Sequence, residues 1–303
     1  MGQVREKRYC PPWLNMPIER FSTFFSETVM TEFWHQALED LWGIKGHLIQ
    51  LDGEYDLNFR INSTHILKVM HPGCPTELVD IQCRALDHLR GLALPLVVDS
   101  RDGRPFEICR DEKGCDRIVW VLELLDGKTW AEFRPKLPGL FRCLGETIGA
   151  MDRRLEDFDH PGLDRDFKWH LPSGDWIADH LDLMDEPGRQ KIIQGILDEF
   201  HKIKPDLEAL PVQAIHNDIN DYNVLVTGGL DQPPTVSGII DLGDICAAPR
   251  VCDLAIAAAY AVLDQPEPER ALEELIRGFH SVCPLSAREI DLVWPLLRLR
   301  LAV

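Results

Sequence analysis

The hydrophobic pattern of this chain changes near residue 126, and this change constrains the fold more than any other feature. Before that point, short apolar runs are separated by turn-forming residues, a pattern typical of antiparallel strands. After it, apolar residues recur mainly at three- and four-residue steps, which indicates α-helices. Because strands and helices are segregated along the chain, we expect an α+β protein of two lobes with a cleft between them.

The pattern divides the chain into an N-terminal arm (residues 1–25), a β-rich N-lobe with one long helix (26–125) and a mainly helical C-lobe (126–303). The predicted strands are His47–Leu51, Leu57–Ile61, His65–Met70, Pro105–Cys109, Arg117–Leu125, Asn223–Val226 and Gly238–Leu242. The predicted helices are Thr31–Trp42, Thr76–Arg90, Leu140–Leu155, Gly174–Leu183, Arg189–His201, Val251–Leu263, Pro268–Val282 and Ala287–Leu301.

The charge balance restricts the class of partner. Asp and Glu number 50 against 32 Lys and Arg, so the net charge is −18 with histidine neutral. Nucleic-acid binders rely on Lys and Arg to neutralise phosphates, and this balance therefore argues against a nucleic-acid partner. Nucleotides are still possible ligands, because a few local groups and metal ions suffice to bind them.

The sequence carries no pattern typical of membrane insertion or export. Its longest apolar run, Leu254–Leu263, is far shorter than the roughly 20 residues that a transmembrane helix requires. The basic N-terminus is not followed by the apolar region of a signal peptide. Nine cysteines with no C-x-x-C pair indicate thiols in a reducing compartment. We therefore expect a cytoplasmic protein that does not bind a membrane.

The residues best suited to chemistry lie in two neighbouring segments, Ile215–Val226 and Gly238–Asp244. Asn223 begins one apolar strand and Asp241 ends the other, so antiparallel pairing would bring them to the same end of a hairpin. Asp218 precedes Asn223 in a loop too polar for the core. Two carboxylates and an amide oxygen would converge there, and hard oxygen ligands of this kind suit Mg²⁺.

Phosphoryl transfer requires a site of this composition. A metal ion neutralises charge on the phosphates, while a separate carboxylate orients the acceptor hydroxyl and takes its proton. We assign Asn223 and Asp241 to the metal and Asp218 to the catalytic base. Any one of these residues is compatible with an ordinary turn. The combination of all three with a preceding histidine favours a catalytic site.

The motif His216-x-Asp218-x-x-x-x-Asn223, with the strand that ends in Asp241, resembles the catalytic and metal-binding loops of the aminoglycoside phosphotransferase and choline kinase superfamily. Within it, the chain most resembles the hydroxylysine kinase and amino-alcohol kinase branch, over about residues 30–301. The resemblance implies a bilobal protein-kinase-like fold, with Mg²⁺ and ATP or GTP as cofactors. It also implies transfer of the γ-phosphate to the hydroxyl of a small acceptor.

The resemblance implies that Lys68 holds the α- and β-phosphates, as the strand lysine of kinases does. A buried lysine needs an acidic partner, and the helix that follows offers two. The Val-Asp-Ile-Gln stretch favours Asp80, where relatives usually have Glu, and Glu77 stays open as the alternative.

Two further stretches resemble the nucleotide-binding parts of this branch. Residues 51–59, with Asp56 and Asn58, resemble the loop that replaces the glycine-rich loop of protein kinases. The stretch around Glu123 and Leu125 resembles the hinge between the lobes, where main-chain groups pair with adenine. We expect all four residues to contribute to nucleotide binding.

Three residues are candidates for the acceptor site. Asp244 would assist the metal or bind the substrate. His160 and Trp169 would line an acceptor pocket, although a capping histidine and a packed aromatic side chain would fit the sequence equally well. Asn217, in the catalytic loop, stands where relatives commonly have glycine. A cationic acceptor would suit the acidic C-lobe.

The leading hypothesis is a kinase for an amino alcohol or hydroxy amino acid such as 5-hydroxylysine. An aminoglycoside O-phosphotransferase and a homoserine- or choline-type kinase are neighbouring alternatives, and a nucleotide-binding regulatory domain without catalysis is an alternative of another class. The chain stops at Val303 within an apolar helical pattern. We therefore expect a domain of a longer polypeptide, and the resemblance to the hydroxylysine kinase branch implies an aminotransferase-like module within it.

Overall fold

The computed structural model describes residues 27–53, 55–229 and 232–303, so the predicted N-terminal arm lies outside the described residues. The α-helices are α1 (Glu27–Trp42), α2 (Thr76–His88), α3 (Pro138–Leu155), α4 (Pro187–Glu208), α5 (Val251–Ala261), α6 (Pro268–Val282) and α7 (Ala287–Ala302). The strands are β1 (Leu48–Leu51), β2 (Leu57–Ile61), β3 (His65–Val69), β4 (Val97–Val98), β5 (Glu107–Arg110), β6 (Asp116–Glu123), β7 (Lys128–Thr129), β8 (Gln213–Ile215), β9 (Val224–Thr227), β10 (Thr235–Ile239) and β11 (Cys246–Ala248). Sheet-forming residues precede a helical second half, which confirms the predicted α+β fold.

The first six strands form one sheet. Strands β1, β2 and β3 pair antiparallel in chain order, as the turn-forming residues between them predict, and β6 pairs with the free edge of β3. Alternate residues of a strand point to opposite faces of a sheet. Phe59, Leu67 and Val121 lie on one face, where they pack with Trp34 and Leu38 of α1. Helix α1 therefore covers this face of the sheet.

The opposite face carries the polar residues of interest. The strand register places Asn58 opposite Lys68 and Lys68 opposite Trp120, so these three side chains share one face. The Lys68 ammonium lies 5.5 Å from the centre of the Trp120 ring. Trp120 packs in the same core as the helical half of the protein, so this face is directed towards that half.

Helices α3 and α6 form a tight pair in the helical half. A Cβ atom added at Gly145 would lie 2.0 Å from the Leu275 carbonyl oxygen, and one at Gly278 would lie 2.1 Å from the Arg142 carbonyl oxygen. Glycine at both positions therefore permits the close approach of the two backbones. Helix α5 is almost entirely buried and contacts both α6 and α7.

Some elements differ from the sequence-based prediction. The predicted helix Gly174–Leu183 is part of a 3₁₀ segment, Leu171–Leu183. Strands β4, β7, β8 and β11 were not predicted, because two or three residues are too few to show a period. In addition, each of these strands pairs with a strand that is not its neighbour in the chain: β4 with β6, β7 with β9, and β8 with β11. The division at residues 125 and 126 stays a prediction. Within the described ranges, no helix is both long and apolar enough to cross a membrane.

Candidate active site

A hairpin of β9 and β10 forms the base of the candidate active site. The two strands pair antiparallel with Val224 opposite Ile239, and the next residue, Ile240, donates its N–H to the Asn223 carbonyl at 2.9 Å. Asn223 and Asp241 therefore lie at the same end of the hairpin, as their positions in the sequence predict.

The Asp218 carboxylate is held by three side-chain donors. Its Oδ2 accepts hydrogen bonds from the amide groups of Asn220 and Asn223, both at 2.9 Å. Its Oδ1 accepts one from Nη2 of Arg300 at 2.8 Å. These contacts fix the orientation of the carboxylate at the edge of the hairpin, while part of its surface remains exposed.

Asn223 and Asp241 present oxygen atoms suited to a cation. The Asn223 amide nitrogen donates to the main chain and the carboxylate of Asp218, so its oxygen is the group that could bind a metal. Oδ1 of Asp241 lies 3.3 Å from Nζ of Lys68 and accepts from the Gly243 N–H at 3.2 Å. The charge of Lys68 holds the pKa of the Asp241 carboxyl below its usual value.

This donor set fits Mg²⁺ in composition but is not a complete cage. In the part of the chain that the structure describes, no three His, Cys, Asp or Glu side chains converge on a metal position. Mg²⁺ is commonly held by one or two carboxylates together with substrate phosphates and water. The hairpin end would therefore bind a cation best when a nucleotide supplies further oxygen ligands.

The loop that carries Asp218 is braced from beneath. His216 is fully buried, and its ring contacts the Ile240 carbonyl at 3.1 Å and the Asp218 N–H at 3.2 Å. The Asp253 carboxylate of α5, also fully buried, accepts the N–H groups of His216 and Asn217 at 2.7 and 2.6 Å. His216 and Asp253 therefore hold the loop through its main chain.

A second buried carboxyl group lies next to Asp253. Asp152 has no exposed surface, and no donor from the described residues reaches either of its carboxyl oxygens. Burial and the neighbouring Asp253 raise the pKa of Asp152 well above its usual value. A protonated Asp152 would donate to Asp253, which removes the cost of burying two anions together.

The backbone of the loop explains why asparagine suits position 217. Its φ of 65° lies in the left-handed region, which glycine occupies freely and asparagine more readily than other residues. The Asn217 amide also donates to the Trp169 carbonyl at 3.1 Å. The loop is thus tied to the segment that leads into the 3₁₀ segment Leu171–Leu183.

Lys68 and Asp80 are not brought together. Among the described side chains, no ion pair joins Lys68 to Asp80 or Glu77. Oδ2 of Asp80 accepts instead from Arg84, one turn along α2, at 2.8 Å and lies 3.0 Å from Nε2 of His160. Burial raises the pKa of Asp80, but the contacts with His160 and Arg84 outweigh it and lower that pKa. The expected Lys68–Asp80 pair therefore differs from the structure, and Glu77 is exposed.

His160 occupies a structural position. Its Nδ1 accepts the Gly162 N–H at 3.0 Å, which caps the 3₁₀ turn Pro161–Leu163, while Nε2 contacts Asp80. Since both ring nitrogens are engaged and the residue is buried, the capping alternative describes it better than an acceptor-binding role. Trp169, by contrast, is 42% exposed and lies edge-on to Trp176.

The residues of the predicted nucleotide loop occupy two different positions. Oδ1 of Asp56 accepts the His71 N–H at 2.7 Å and so anchors the end of β3. Oδ1 of Asn58 is buried with no donor among the described residues. Gly53 allows the loop to fold tightly, because an added Cβ would lie 2.5 Å from the Asp56 carbonyl oxygen.

The predicted hinge is fixed by its main chain. Glu123 donates its N–H to Leu96 at 2.9 Å, and Leu124 donates to Thr64 at 2.8 Å. The Leu125 side chain packs so closely on Gly238 that a Cβ there would lie 2.4 Å from its Cδ1. The roles of Glu123 and Leu125 towards adenine stay predictions.

Asp244 completes the acidic group around Asp218. Burial, together with the charge of Asp218, raises the pKa of Asp244 to about 6. Arg165 lies 3.7 Å from its Oδ1 and donates to the Gly243 carbonyl at 2.7 Å. Asp244 therefore changes charge close to physiological pH.

Sequence reasoning missed three charged residues that shape this site. They are Arg300, Asp253 and Arg165. For Asp253, the available signal was a lone charge within an otherwise apolar helical stretch, because a buried charge requires a partner. For Arg300 the signal was weaker, since Arg298 is a second charge in the same apolar stretch. Arg165 lies in an irregular polar segment and gave no such signal.

The sequence comparisons agree with the resemblance that the motifs indicate. The profile described as "Phosphotransferase enzyme family" matches residues 47–290. The hydroxylysine kinase of Danio rerio is 25% identical over 281 residues, covering 87% of this chain and 79% of that protein. The hydroxylysine kinase of Mus musculus is 25% identical over 293 residues, which cover 87% of this chain and 78% of that protein. The relatives give no support to the expected aminotransferase-like module.

The solved structures agree with the predicted fold. Amicoumacin kinase hAmiN in complex with AMP-PNP, Ca²⁺ and Ami has a TM-score of 0.69 at 16% identity, covering 94% of this chain and 86% of that chain. A microcompartment-associated aminopropanol kinase has a TM-score of 0.62 at 18% identity, covering 88% and 85%. The GDP complex of aminoglycoside 2'-phosphotransferase-IIIa has a TM-score of 0.62 at 16% identity, covering 92% and 90%. These similarities confirm the bilobal kinase-like fold.

Proposed function

Because the chain belongs to the phosphotransferase enzyme family, we propose that it is a small-molecule kinase whose acceptor is an amino alcohol or a hydroxy amino acid. Hydroxylysine is the leading candidate, since the relatives of Danio rerio and Mus musculus carry the name hydroxylysine kinase. The observation that carries the proposal is the arrangement at one hairpin end, where Asp218 contacts Asn223 and Asp241 contacts Lys68.

The proposed catalytic base is Asp218. Its carboxylate is oriented by Asn220, Asn223 and Arg300 and is partly exposed. It could therefore accept a hydrogen bond from an acceptor hydroxyl and take the proton as the phosphate is transferred. The brace formed by Asp253 and His216 would keep this carboxylate in position.

The proposed cofactors are Mg²⁺ and ATP or GTP. Asn223 and Asp241 would hold the ion, which when bound neutralises charge on the phosphates. Lys68 would bind the α- and β-phosphates, and its place beside Asp241 supports this role. Two structural neighbours support a nucleotide of either base, since one is a complex with AMP-PNP and Ca²⁺ and another a complex with GDP.

The remaining nucleotide contacts belong to the same proposal. Asn58 would face the nucleotide, because it shares a sheet face with Lys68 and its amide oxygen is buried without a donor. Main-chain groups of Glu123 and Leu125 would pair with the base. Asp56 would act indirectly by fixing the end of β3, and Asp80 by holding His160 against α2.

The acceptor is proposed to be small and cationic. Asp244 and Asp218 supply negative charge at one place, which would attract an ammonium group. Trp169 would add an exposed aromatic surface near the loop that carries Asp218, because its carbonyl accepts a hydrogen bond from the Asn217 amide of that loop. We further propose a cytoplasmic location, in line with the free thiols of the eight described cysteines.

The test is a screen of acceptors in which the purified protein is incubated with MgATP or MgGTP and nucleoside diphosphate release is measured. The panel would contain 5-hydroxylysine, 1-amino-2-propanol, ethanolamine, homoserine, choline and an aminoglycoside. We expect the wild type to release nucleoside diphosphate with 5-hydroxylysine. The variant Asp218→Asn should release none, although it should still bind the nucleotide. Activity with the aminoglycoside alone would favour that alternative. Nucleotide binding without transfer to any acceptor would favour the regulatory domain.

A further inference from the structure

Arg300 of α7 reaches the candidate catalytic base from outside the motif His216–Asn223. Its Nη2 lies 2.8 Å from Oδ1 of Asp218 and 3.2 Å from the hydroxyl of Tyr260 on α5. The Arg300 side chain is only 9% exposed. A guanidinium is therefore buried directly beside the carboxylate that would receive the acceptor hydroxyl.

The hydrogen bonds of this guanidinium are incomplete. Its Nε is buried and meets no acceptor in the described part of the chain. A buried N–H without a partner costs free energy, and arginine has five N–H donors in a planar fork. Nη2 serves Asp218 and Tyr260, so the guanidinium has donor capacity beyond these two contacts.

We infer that Arg300 binds a carboxylate of the acceptor, so that the acceptor is a hydroxy amino acid and not a simple amino alcohol. This inference rests on the proposed function, because it concerns the acceptor side of the same site. A carboxylate matches the guanidinium fork with two parallel hydrogen bonds, as a phosphate also does. Bound there, it would lie next to Asp218, where the hydroxyl of the same molecule must also reach.

The charges around the site suit a molecule that carries both signs. Asp218 and Asp244 offer negative charge to an ammonium group, and Arg300 offers positive charge to a carboxylate. Arg165 also has a buried Nε without an acceptor among the described residues, but it lies beside Asp244 and donates to the Gly243 carbonyl. Arg300 is the better placed cation because it contacts Asp218 itself, the group that the acceptor hydroxyl must reach. A purely cationic acceptor would have to approach Asp218 beside the Arg300 charge, and this is unfavourable.

The experiment compares two acceptors that differ by one carboxylate, 5-hydroxylysine and 1,5-diaminopentan-2-ol. The wild type, Arg300→Gln and Arg300→Lys are assayed for kcat and KM with both. We expect the wild type to prefer 5-hydroxylysine, and Arg300→Gln to lose about 10- to 100-fold in kcat/KM with it, mainly through KM. The loss with the diamine should be several-fold at most, and Arg300→Lys should recover part of the preference.

The matched control is Arg298→Gln. Arg298 lies two residues earlier on α7 and pairs with Glu199 of α4, away from Asp218. This variant should keep the preference of the wild type. Equal losses with both acceptors in Arg300→Gln would mean that Arg300 only positions Asp218, and the inference would be wrong.

A binding measurement separates this inference from the proposed function. Lysine and cadaverine lack the hydroxyl group and differ from each other only by a carboxylate. Their effect on the melting temperature of the protein is measured in the presence of AMP-PNP and Mg²⁺. This measurement reports binding alone, because no phosphate can be transferred. Stabilisation by lysine that is lost in Arg300→Gln supports the inference even if no acceptor is phosphorylated. Transfer to 5-hydroxylysine with no dependence on the carboxylate would support the kinase and reject the role of Arg300. If no acceptor is phosphorylated and binding does not depend on the carboxylate, both the proposed function and the role of Arg300 are rejected.

Discussion

Nζ of Lys68 lies 3.3 Å from Oδ1 of Asp241, although the two residues are 173 positions apart in the chain. Lys68 belongs to the sheet of the first half, and Asp241 follows β10 in the second. Their contact joins the proposed phosphate-binding group to the proposed metal ligand. The positive charge of Lys68 also lowers the pKa of Asp241, which keeps that carboxylate ionised.

Replacing Lys68 with methionine should abolish most of the activity while the protein stays folded. The change removes the charge beside Asp241 and the proposed contact with the phosphates. We expect kcat/KM for the nucleotide to fall by on the order of 10²–10³, as measured by diphosphate release. The control is Lys45→Met, since Lys45 is 76% exposed and pairs with Glu39. Activity of Lys68→Met equal to that of the control would contradict the assignment.

Asp244 should make acceptor binding depend on pH. With a pKa of about 6, its carboxylate is largely ionised at pH 7 and largely protonated at pH 5. If it binds an ammonium group, KM for a cationic acceptor should rise about tenfold over this range. In Asp244→Asn, KM should be high throughout and this dependence should be absent, as steady-state kinetics between pH 5 and 8 would show.

The same residue should also affect stability. Because the pKa of Asp244 is raised on folding, the folded state binds more protons than the unfolded state between about pH 4 and pH 6. The free energy of unfolding contributed by this group therefore falls as the pH rises through that window. Thermal melts of Asp244→Asn should lack this contribution. A variant whose stability and KM both follow the wild type would exclude the role given to Asp244.

Asp152 and Asp253 should respond differently to the same substitution. Asp152→Asn replaces a protonated carboxyl with a neutral group of equal size, so its stability at pH 7 should lie within about 1 kcal/mol of the wild type. Asp253→Asn removes the anion that accepts two main-chain N–H groups and should cost about 1–3 kcal/mol. Urea unfolding measures both changes, and activity should fall in Asp253→Asn.

The pH dependence of unfolding gives the stricter comparison for this pair. Because the pKa of Asp152 is raised on folding, its protonated form favours the folded state, and that stability is lost as the pH rises towards the folded-state pKa. Asp152→Asn should therefore lose less stability than the wild type as the pH rises above about 4, the ordinary pKa of an aspartate carboxyl group. Parallel curves would mean that Asp152 is not the proton carrier of the pair.

Asn217 provides a test of the loop backbone. Asn217→Ala places a residue with an ordinary side chain at a φ of 65°, which costs about 1–2 kcal/mol, and also removes the bond to the Trp169 carbonyl. Asn217→Gly loses that bond but relieves the backbone. Urea unfolding should therefore find Asn217→Gly more stable than Asn217→Ala. The reverse order would show that the side-chain contacts outweigh the backbone strain.

The hairpin of the candidate active site was predictable because its information is local. Asp218 and Asn223 lie five residues apart in one loop, and turn formers followed by an apolar strand determine how that loop is built. The β9–β10 pairing needs only a short connection, so the sequence also indicates that Asp241 comes to the same end. The helices with strong three- and four-residue periods were predictable for the same reason.

The partners of the charged side chains could not be predicted in this way. Asp80 was expected to pair with Lys68, yet it contacts Arg84 on its own helix and His160 some 80 residues later. The choice among several arginines, histidines and carboxylates depends on which helices pack together. Sequence spacing within one element carries no information on that packing.

The sequence by itself therefore determined the fold class and the group of Asp218, Asn223 and Asp241, because local periodicity and short-range spacing specify them. The resemblance of its motifs indicated the family. The tertiary structure alone decided that Arg300 reaches Asp218 and that Asp253 braces the loop, contacts that span 82 and 36–37 positions in the chain. Burial of a charge requires a partner, but only the packing of α5 and α7 decides which partner it finds.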